Sequence, residues 1–170
     1  MGKYTHSNQD PWSWVRPTHQ DVPAIVELSD RTDSQDIVGI LTKNPTRLHY
    51  HLHQSILETA YGFNKQLVSI ARQDDQIIAW SWLTRDKFSP YADEEMAIAE
   101  ICTVAPELPV KSKIKLIAQT LDIWSAWCLL NGIPVLTSNT IRAEQSAFMR
   151  LHEQAGFTIR GSFAYRRIGE

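Results

Sequence analysis

The longest regular pattern of apolar and polar positions in this chain covers residues 97–130. Residues 97–104 are mostly apolar, as in a buried strand, and Pro106 and Pro109 then mark a turn. Apolar residues next recur at the spacing of one helix face. The predicted buried stripe of this helix consists of Ile114, Ile117, Ala118, Leu121, Trp124 and Cys128. The stretch therefore predicts a strand, a turn and a long helix that ends at Asn131-Gly132.

The same patterns predict the remaining elements. Further strands are expected at 14–17, 66–72, 76–84, 133–137, 157–160 and 163–168. Further helices are expected from residue 22, as a short piece within 37–41, at 46–61 and at 143–155. Gln73-Asp74-Asp75 predicts a tight hairpin turn. The resulting order, β-α-α-β-β-β-α-β-α-β-β, predicts a mixed sheet with helices on its faces, an α/β or α+β single domain at 14–170 preceded by an arm at 1–13.

Composition is that of an ordinary folded domain. The 170 residues are 43% hydrophobic and 21% charged, and the formal net charge is -2. This balance gives no reason to expect a nucleic acid or a membrane as a partner, and no apolar run approaches membrane-spanning length. The polar N-terminus has no signal-peptide core, and Cys102 and Cys128 are expected to be buried thiols rather than a disulfide. We therefore expect a cytoplasmic protein.

Trp12 and Trp14 stand out in the N-terminal arm. They have two interpretations: a clasp that packs on the domain, or an anchor for a partner protein. The sequence leaves homo-oligomerisation open as well.

Three histidines alternate at His49, His51 and His53. On a helix only His49 and His53 share a face, and no cysteine lies near them. We therefore expect no metal site, and interpret these histidines as solvated or as lining a substrate pocket.

Lys111, Lys113 and Lys115 lie where the long helix begins. The first N–H groups of a helix have no partner within the helix, and the helix dipole is positive there, so such a junction can hold an anion. The alternative is that these lysines are only solvated surface residues.

The C-terminal segment 145–157, QSAFMRLHEQAGF, carries the most specific motif. Its spacing resembles the Asn-x-x-Ala-x-x-Leu-Tyr-x-x-x-Gly-Phe motif of the GNAT superfamily of N-acetyltransferases. Leu151, Gly156 and Phe157 match, whereas Gln145 and His152 replace the usual Asn and Tyr. The predicted element order also resembles this superfamily from residue 15 onward, which implies a GNAT-like acyl-CoA N-acyltransferase fold.

The strand and turn at 101–107 resemble the family's Val-x-Pro exit toward the acetyl-CoA site, here Val104-Ala-Pro106. In the family, backbone N–H groups of a glycine-containing turn then bind the pyrophosphate. Residues 109–114 contain no glycine, and Pro109 has no N–H. We expect Ser112 to cap the helix, and Lys111, Lys113 and Lys115 to hold the cofactor phosphates as point charges.

The resemblance implies acetyl transfer from acetyl-CoA to an amine by direct attack. Glu100 is the candidate base, with Glu95 in reserve, and His152 is the candidate acid that protonates the departing thiolate. Backbone N–H groups near Cys102, Thr103 and Val104 would polarise the thioester. Asn139 would contact the cofactor arm. Two alternatives remain open: Glu100 is paired with a neighbouring cation, or His152 lies on a helix surface.

The expected acceptor is a small-molecule or protein amine. The walls of its pocket are predicted to be His49, His53, Tyr61, Trp82 and Tyr91. A second interpretation is a GNAT-fold subunit that has lost catalysis and serves a binding or structural role in a larger assembly. The glycine-free turn and the two tryptophans favour that reading, whereas the Gly-Phe motif and the acid and base candidates favour the enzyme, which we prefer.

Overall fold

The computed structural model describes residues 10–32, 42–62, 64–87, 93–139 and 146–160. The strands are β1 (Ser13–Val15), β2 (Gln66–Gln73), β3 (Gln76–Lys87), β4 (Glu95–Val104) and β5 (Val135–Ser138). The helices are α1 (Val22–Thr32), α2 (Pro45–Ala60), α3 (Val110–Leu130) and α4 (Ser146–Gln154), and a short 3-10 helix spans His19–Asp21. The predictions for 37–41, Tyr91, Gln145 and 163–168 lie outside the described residues.

The strands form one mixed sheet in the order β1-β2-β3-β4-β5. The pairs β1–β2, β2–β3 and β3–β4 are antiparallel, whereas β4 and β5 run parallel. The parallel pair needs a crossover, and α3 supplies it. The predicted α/β mixed sheet with helices is confirmed.

The hairpin between β2 and β3 turns through Asp74 and Asp75, at φ 47° and 64°. Positive φ at both central residues is the geometry of a two-residue hairpin turn whose twist matches its strands. Aspartate tolerates this conformation better than most side chains because it is short and polar. The predicted tight turn is confirmed, and Gln73 pairs directly with Gln76.

The core lies between the sheet and its helices. Trp124 of α3 is buried, and its indole Nε1 donates to Ser81 Oγ (3.2 Å) on β3. Ser81 Oγ also lies 2.7 Å from Ser69 Oγ on β2. These contacts satisfy the polar groups that α3 and the sheet bury together, which matters because an unpaired buried polar group is costly.

Three predictions about individual elements are wrong. Ile114 was expected in the buried stripe of α3 but is 45% exposed, because it lies in the first turn and the buried residues of α3 begin only at Leu116. The strand at 133–137 was expected to be buried, but Val135 is exposed within the described structure. Residues 157–160 follow α4 without forming a strand.

Cys102 and Cys128 are both free thiols. Cys102 is half-buried and Cys128 is buried. Burial raises the pKa of the Cys128 thiol, because the charged thiolate would lose its hydration. No helix in the described part of the chain is long and apolar enough to cross a membrane.

Candidate functional site

The sheet opens where β5 ends. Parallel pairing runs from Met96–Val135 to Ala99–Ser138, and β4 continues beyond it to Val104. Asn139 follows Ser138 directly and is exposed beside this opening. Ligands of α/β sheets bind in the crevice outside the carboxyl ends of parallel strands. The opening between β4 and β5, followed by the start of α3, is therefore the candidate site.

Glu100 lies at this opening because of a β-bulge. Trp82 of β3 pairs with Ile101 while the next residue, Leu83, pairs with Ala99, so Glu100 is the extra residue on β4. A bulge redirects a side chain and bends its strand. The Glu100 carboxylate is exposed and accepts a hydrogen bond from Thr84 Oγ1 (2.7 Å). The predicted base thus lies just where the pairing with β5 ends.

The two glutamates proposed as bases have different surroundings. Glu95 forms an ion pair with Arg85, whose Nε donates to Glu95 Oε2 (2.9 Å). Glu100 has no ion pair within the described structure, so the alternative in which a cation neutralises it finds no support. Among the described residues, the Glu100 carboxylate is therefore held only by a hydroxyl, whereas Arg85 occupies the Glu95 carboxylate.

Trp82 lies on the same face of β3 as Thr84, since the two are two residues apart on one strand. Its indole is half-buried, and Nε1 donates to Gln66 Oε1 (2.9 Å). Trp82 therefore belongs to the face that carries Glu100. Thr84 and Gln66 were missed by the sequence analysis, because only the strand register reveals that they face these residues.

His49 and His53 form a separate cluster with His19. His19 Nδ1 and His53 Nδ1 are 2.7 Å apart, and the rings of His49 and His53 are centred 4.6 Å apart. Desolvation, followed by the charges of His49 and His19, lowers the pKa of His53. The polar contacts of this cluster are made within it rather than with Trp82 or Glu100. Tyr61, another predicted wall, is exposed at the end of α2.

No group of three or more histidine, cysteine, aspartate or glutamate side chains within the described ranges is arranged to hold a metal ion.

The first turn of α3 has no side-chain cap, and Pro109 is its N-cap residue. The first backbone bond runs from Lys113 N–H to Pro109 O (3.1 Å). The N–H groups of Val110, Lys111 and Ser112 precede this bond and have no acceptor within the helix. The prediction that Ser112 caps the helix is wrong, because α3 begins at Val110 and Ser112 already lies inside its first turn.

The three lysines of this turn differ in their partners. Lys113 Nζ donates to Pro106 O (2.6 Å) and so closes the turn between β4 and α3. Lys115 forms an ion pair with Asp10. Lys111 is exposed and pairs with none of the described residues. Of the three, Lys111 is therefore the ammonium group most available to a phosphate.

The N-terminal tryptophans pack on α3. Trp12 Nε1 and Trp14 Nε1 both donate to Gln119 Oε1 (2.9 Å each), and Gln119 Nε2 donates to Asp10 Oδ2 (2.8 Å). Trp14 is only 2% exposed. This geometry is that of the predicted clasp, and Gln119 is its centre. One signal could have found Gln119 beforehand, because it is a polar residue among the apolar positions of α3.

His152 is buried, with 1% of its surface exposed. Its ring packs between Phe148 and Phe157, with centroid distances of 4.3 and 5.0 Å. The alternative of a helix-surface histidine is therefore wrong, because the aromatic ring of the Gly-Phe motif covers it. Nδ1 lies 2.9 Å from Phe148 O, and a carbonyl can only accept, so Nδ1 carries the proton. Nε2 is buried without a hydrogen-bond partner in the described structure.

Burial lowers the pKa of His152, and the hydrogen bond to Phe148 opposes this only in part. The unfolded chain then binds a proton more readily than the folded chain below the ordinary histidine pKa of about 6.5. We expect the free energy of unfolding to fall as the pH drops below about 6.5, and to be unaffected by His152 above it.

Urea unfolding of wild type, His152→Gln and the exposed-site control His51→Gln at several pH values tests this expectation. The pH dependence attributable to His152 should disappear in His152→Gln and persist in His51→Gln. If the free energy of unfolding depended on pH in His152→Gln as it does in wild type, burial would not hold this imidazole neutral.

The element order and the mixed sheet are those of a known class of fold, shared with solved acetyltransferases. The chain superposes with a TM-score of 0.68 on glucosamine-6-phosphate N-acetyltransferase from Arabidopsis thaliana, at 11% identity over 92% of this chain and 98% of that one. A predicted acetyltransferase from Clostridium acetobutylicum, solved with acetyl-CoA, gives 0.67, at 14% identity over 92% and 96%. An aminoglycoside N-acetyltransferase in complex with CoA gives 0.66, at 14% identity over 99% and 97%.

No model of a known protein family matches the chain, and no curated protein sequence does either. The structural likeness confirms the predicted GNAT-like fold.

Proposed function

We propose that this protein is an N-acetyltransferase that moves an acetyl group from acetyl-CoA to an amine. The observation that carries the proposal is the position of Glu100, a bulged carboxylate without an ion pair in the described structure, at the opening between β4 and β5. The structural likeness to acetyltransferases solved with acetyl-CoA or CoA supports it further.

The residues at the opening fit the parts of acetyl-CoA. The pantetheine arm contains amides that can run along a strand, and β4 extends past the end of β5. The pyrophosphate is an anion, and the first-turn N–H groups of Val110, Lys111 and Ser112 suit it without any glycine. The Lys111 ammonium adds a positive charge beside them. Acetyl-CoA supplies a thioester, which is an activated acyl group.

Glu100 then accepts the proton that the amine loses as it attacks, either directly or through one water molecule. Thr84 holds the carboxylate in place through its hydroxyl. Thr84 is thus a positioning residue, and Glu100 is the catalytic residue of the proposal.

For His152 the structure supports a different chemistry from that of an imidazolium acid. The lowered pKa favours a neutral ring at neutral pH, and its one N–H is directed at Phe148. In this form Nε2 has a lone pair that can accept a hydrogen bond, whereas the lowered pKa disfavours the charged ring that a proton carrier needs. We therefore propose His152 as a hydrogen-bond acceptor.

The alternative, a binding module without catalysis, is supported by features of the turn between β4 and α3. Lys113 and Lys115 are engaged with other groups of the chain, and residues 109–114 lack glycine. An assay of CoA thiol release separates the two functions, with acetyl-CoA and a panel of aliphatic, sugar and peptide amines. Amine-dependent release that Glu100→Gln abolishes is the expected result. Acetyl-CoA binding without release for any amine class would favour the module.

Lys111→Ala is expected to raise the Kd for acetyl-CoA about two- to fivefold, since one exposed ammonium contact with a phosphate contributes up to about 1 kcal/mol. The effect should shrink at high salt, which screens exposed charges. Calorimetry of wild type, Lys111→Ala and the control Lys43→Ala measures it, because Lys43 is already paired with Asp30. An equal loss of acetyl-CoA affinity in Lys111→Ala and Lys43→Ala would contradict a phosphate contact at Lys111.

A further inference from the structure

A row of side chains crosses three strands on the face that carries Glu100. Gln66 of β2 pairs with Thr84 of β3, and residues paired across strands share a face. Gln66 Nε2 donates to Glu58 Oε2 (2.9 Å) on α2, and Thr84 Oγ1 donates to Glu100 Oε1 (2.7 Å) on β4. The row, called here the carboxylate row, consists of Glu58, Gln66, Trp82, Thr84 and Glu100.

The two ends of the carboxylate row carry negative charges that no ion pair among the described residues neutralises. Glu58 is held by an amide and Glu100 by a hydroxyl, and neither is in any of the ion pairs formed within the described structure. Nearby Glu95 shows the contrast, because Arg85 pairs with it. A ligand bound along the row therefore gains by bringing its own positive charges.

Trp82 lies between the two carboxylates, and its orientation is fixed. Its Nε1 donates to Gln66 Oε1 (2.9 Å), and Glu58 in turn holds the Gln66 amide. The half-buried indole leaves apolar ring surface beside the row. Such a surface suits a methylene chain that ends in an ammonium group, since the ring face attracts cations.

A buried hydroxyl one helical turn from Glu58 adds hydrogen-bonding capacity that the described residues do not use. Ser55 lies one helical turn before Glu58 on the same face of α2, is completely buried, and its Oγ has no hydrogen-bond partner in the described structure. Buried polar atoms without a partner are rare and indicate a bound water or ligand group. The side of α2 that carries Glu58 therefore has hydrogen-bonding capacity that the described chain does not use.

We propose that the acceptor is a linear diamine or polyamine, an inference that rests on the proposed acetyltransferase function. One amine meets Glu100 and is acetylated, and a second, as an ammonium ion, pairs with Glu58. Gln66 and the β4 strand are two strand spacings apart, about 10 Å. A short aliphatic diamine, with an N–O contact of about 2.8 Å at each end, can bridge a separation of this order.

The step itself conserves atoms and charge. The amine nitrogen forms a bond to the acetyl carbonyl carbon, the carbon–sulfur bond of the thioester breaks, and the sulfur keeps that electron pair. The proton lost by the nitrogen goes to Glu100, which returns it to the solvent, and the CoA thiolate takes up one proton from water. The ammonium at Glu58 does not react, so it acts only in binding.

The test compares 1,4-diaminobutane with butylamine, which has the same chain and one amine fewer. Binding is measured by calorimetry without acetyl-CoA, and acetylation by CoA release. We expect the diamine to bind at least about tenfold more tightly. Glu58→Gln should remove this preference, because a glutamine oxygen can still accept from Gln66 but carries no charge. Glu153→Gln, an exposed site on α4, makes the same charge change away from the row.

Equal affinity for the two amines, or a preference that survives Glu58→Gln, would overturn the inference. Acetylation of both amines at equal efficiency would also overturn it while leaving the proposed function intact. Preferential diamine binding that Glu58→Gln abolishes, with no acetylation of either amine, would support the cation site but contradict the proposed function.

Discussion

Glu100→Gln is expected to lower kcat/KM for amine acetylation by about 10²- to 10⁴-fold, the usual contribution of a positioned general base. A glutamine still accepts the hydrogen bond from Thr84 but cannot take the proton of the amine. Affinity for acetyl-CoA should stay within about twofold of wild type, because the carboxylate has no role in holding the cofactor. Steady-state kinetics of CoA release, together with calorimetry of acetyl-CoA binding, measures both quantities.

Glu95→Gln is the matched control on the same strand. Its carboxylate is neutralised by Arg85 and lies within the stretch of β4 that pairs with β3 ahead of the bulge. We expect it to retain most of the activity. A larger loss of activity in Glu95→Gln than in Glu100→Gln would make Glu95 the base and contradict the assignment of Glu100.

Trp14→Ala is expected to reduce the free energy of unfolding by about 3–5 kcal/mol, the range for removing a buried tryptophan. The change deletes a buried indole and leaves Gln119 Oε1 with one donor fewer. Because domains are stable by only about 5–15 kcal/mol, this loss should be visible as a large shift of the urea midpoint.

Trp12→Ala should reduce the free energy of unfolding by a clearly smaller amount, since Trp12 is only half-buried although it donates to the same oxygen. Denaturation of both variants by circular dichroism compares them. Equal and small losses would mean that the N-terminal clasp contributes little to the fold, and would reopen the interpretation of these tryptophans as an anchor for a partner.

The elements that the sequence predicted well are those with long periodic patterns or definite end signals. The register of α3 could be seen because Leu121, Trp124 and Cys128 repeat at helical spacing, and all three are buried. The turn at Asp74 and Asp75 could be seen because polar residues separate two strand patterns. Such signals are local, so the sequence alone carries them.

The site depended on contacts that no local pattern encodes. Glu100 could be proposed as a base from its strand, but its bulge and its bond to Thr84 arise from the pairing of β3 with β4. Ser112 was wrongly predicted to cap α3, because the N-cap residue is Pro109 and Ser112 already lies in the first turn. Lys115 was read as a phosphate ligand because its partner, Asp10, lies about a hundred positions earlier in the chain.

Calorimetric titration of wild-type protein with acetyl-CoA tests the central claim most directly, that the opening between β4 and β5, together with the first turn of α3, binds this cofactor. The predicted result is saturable binding at one site per chain, competed by CoA and weakened by Lys111→Ala. Absence of binding at millimolar acetyl-CoA would contradict the account.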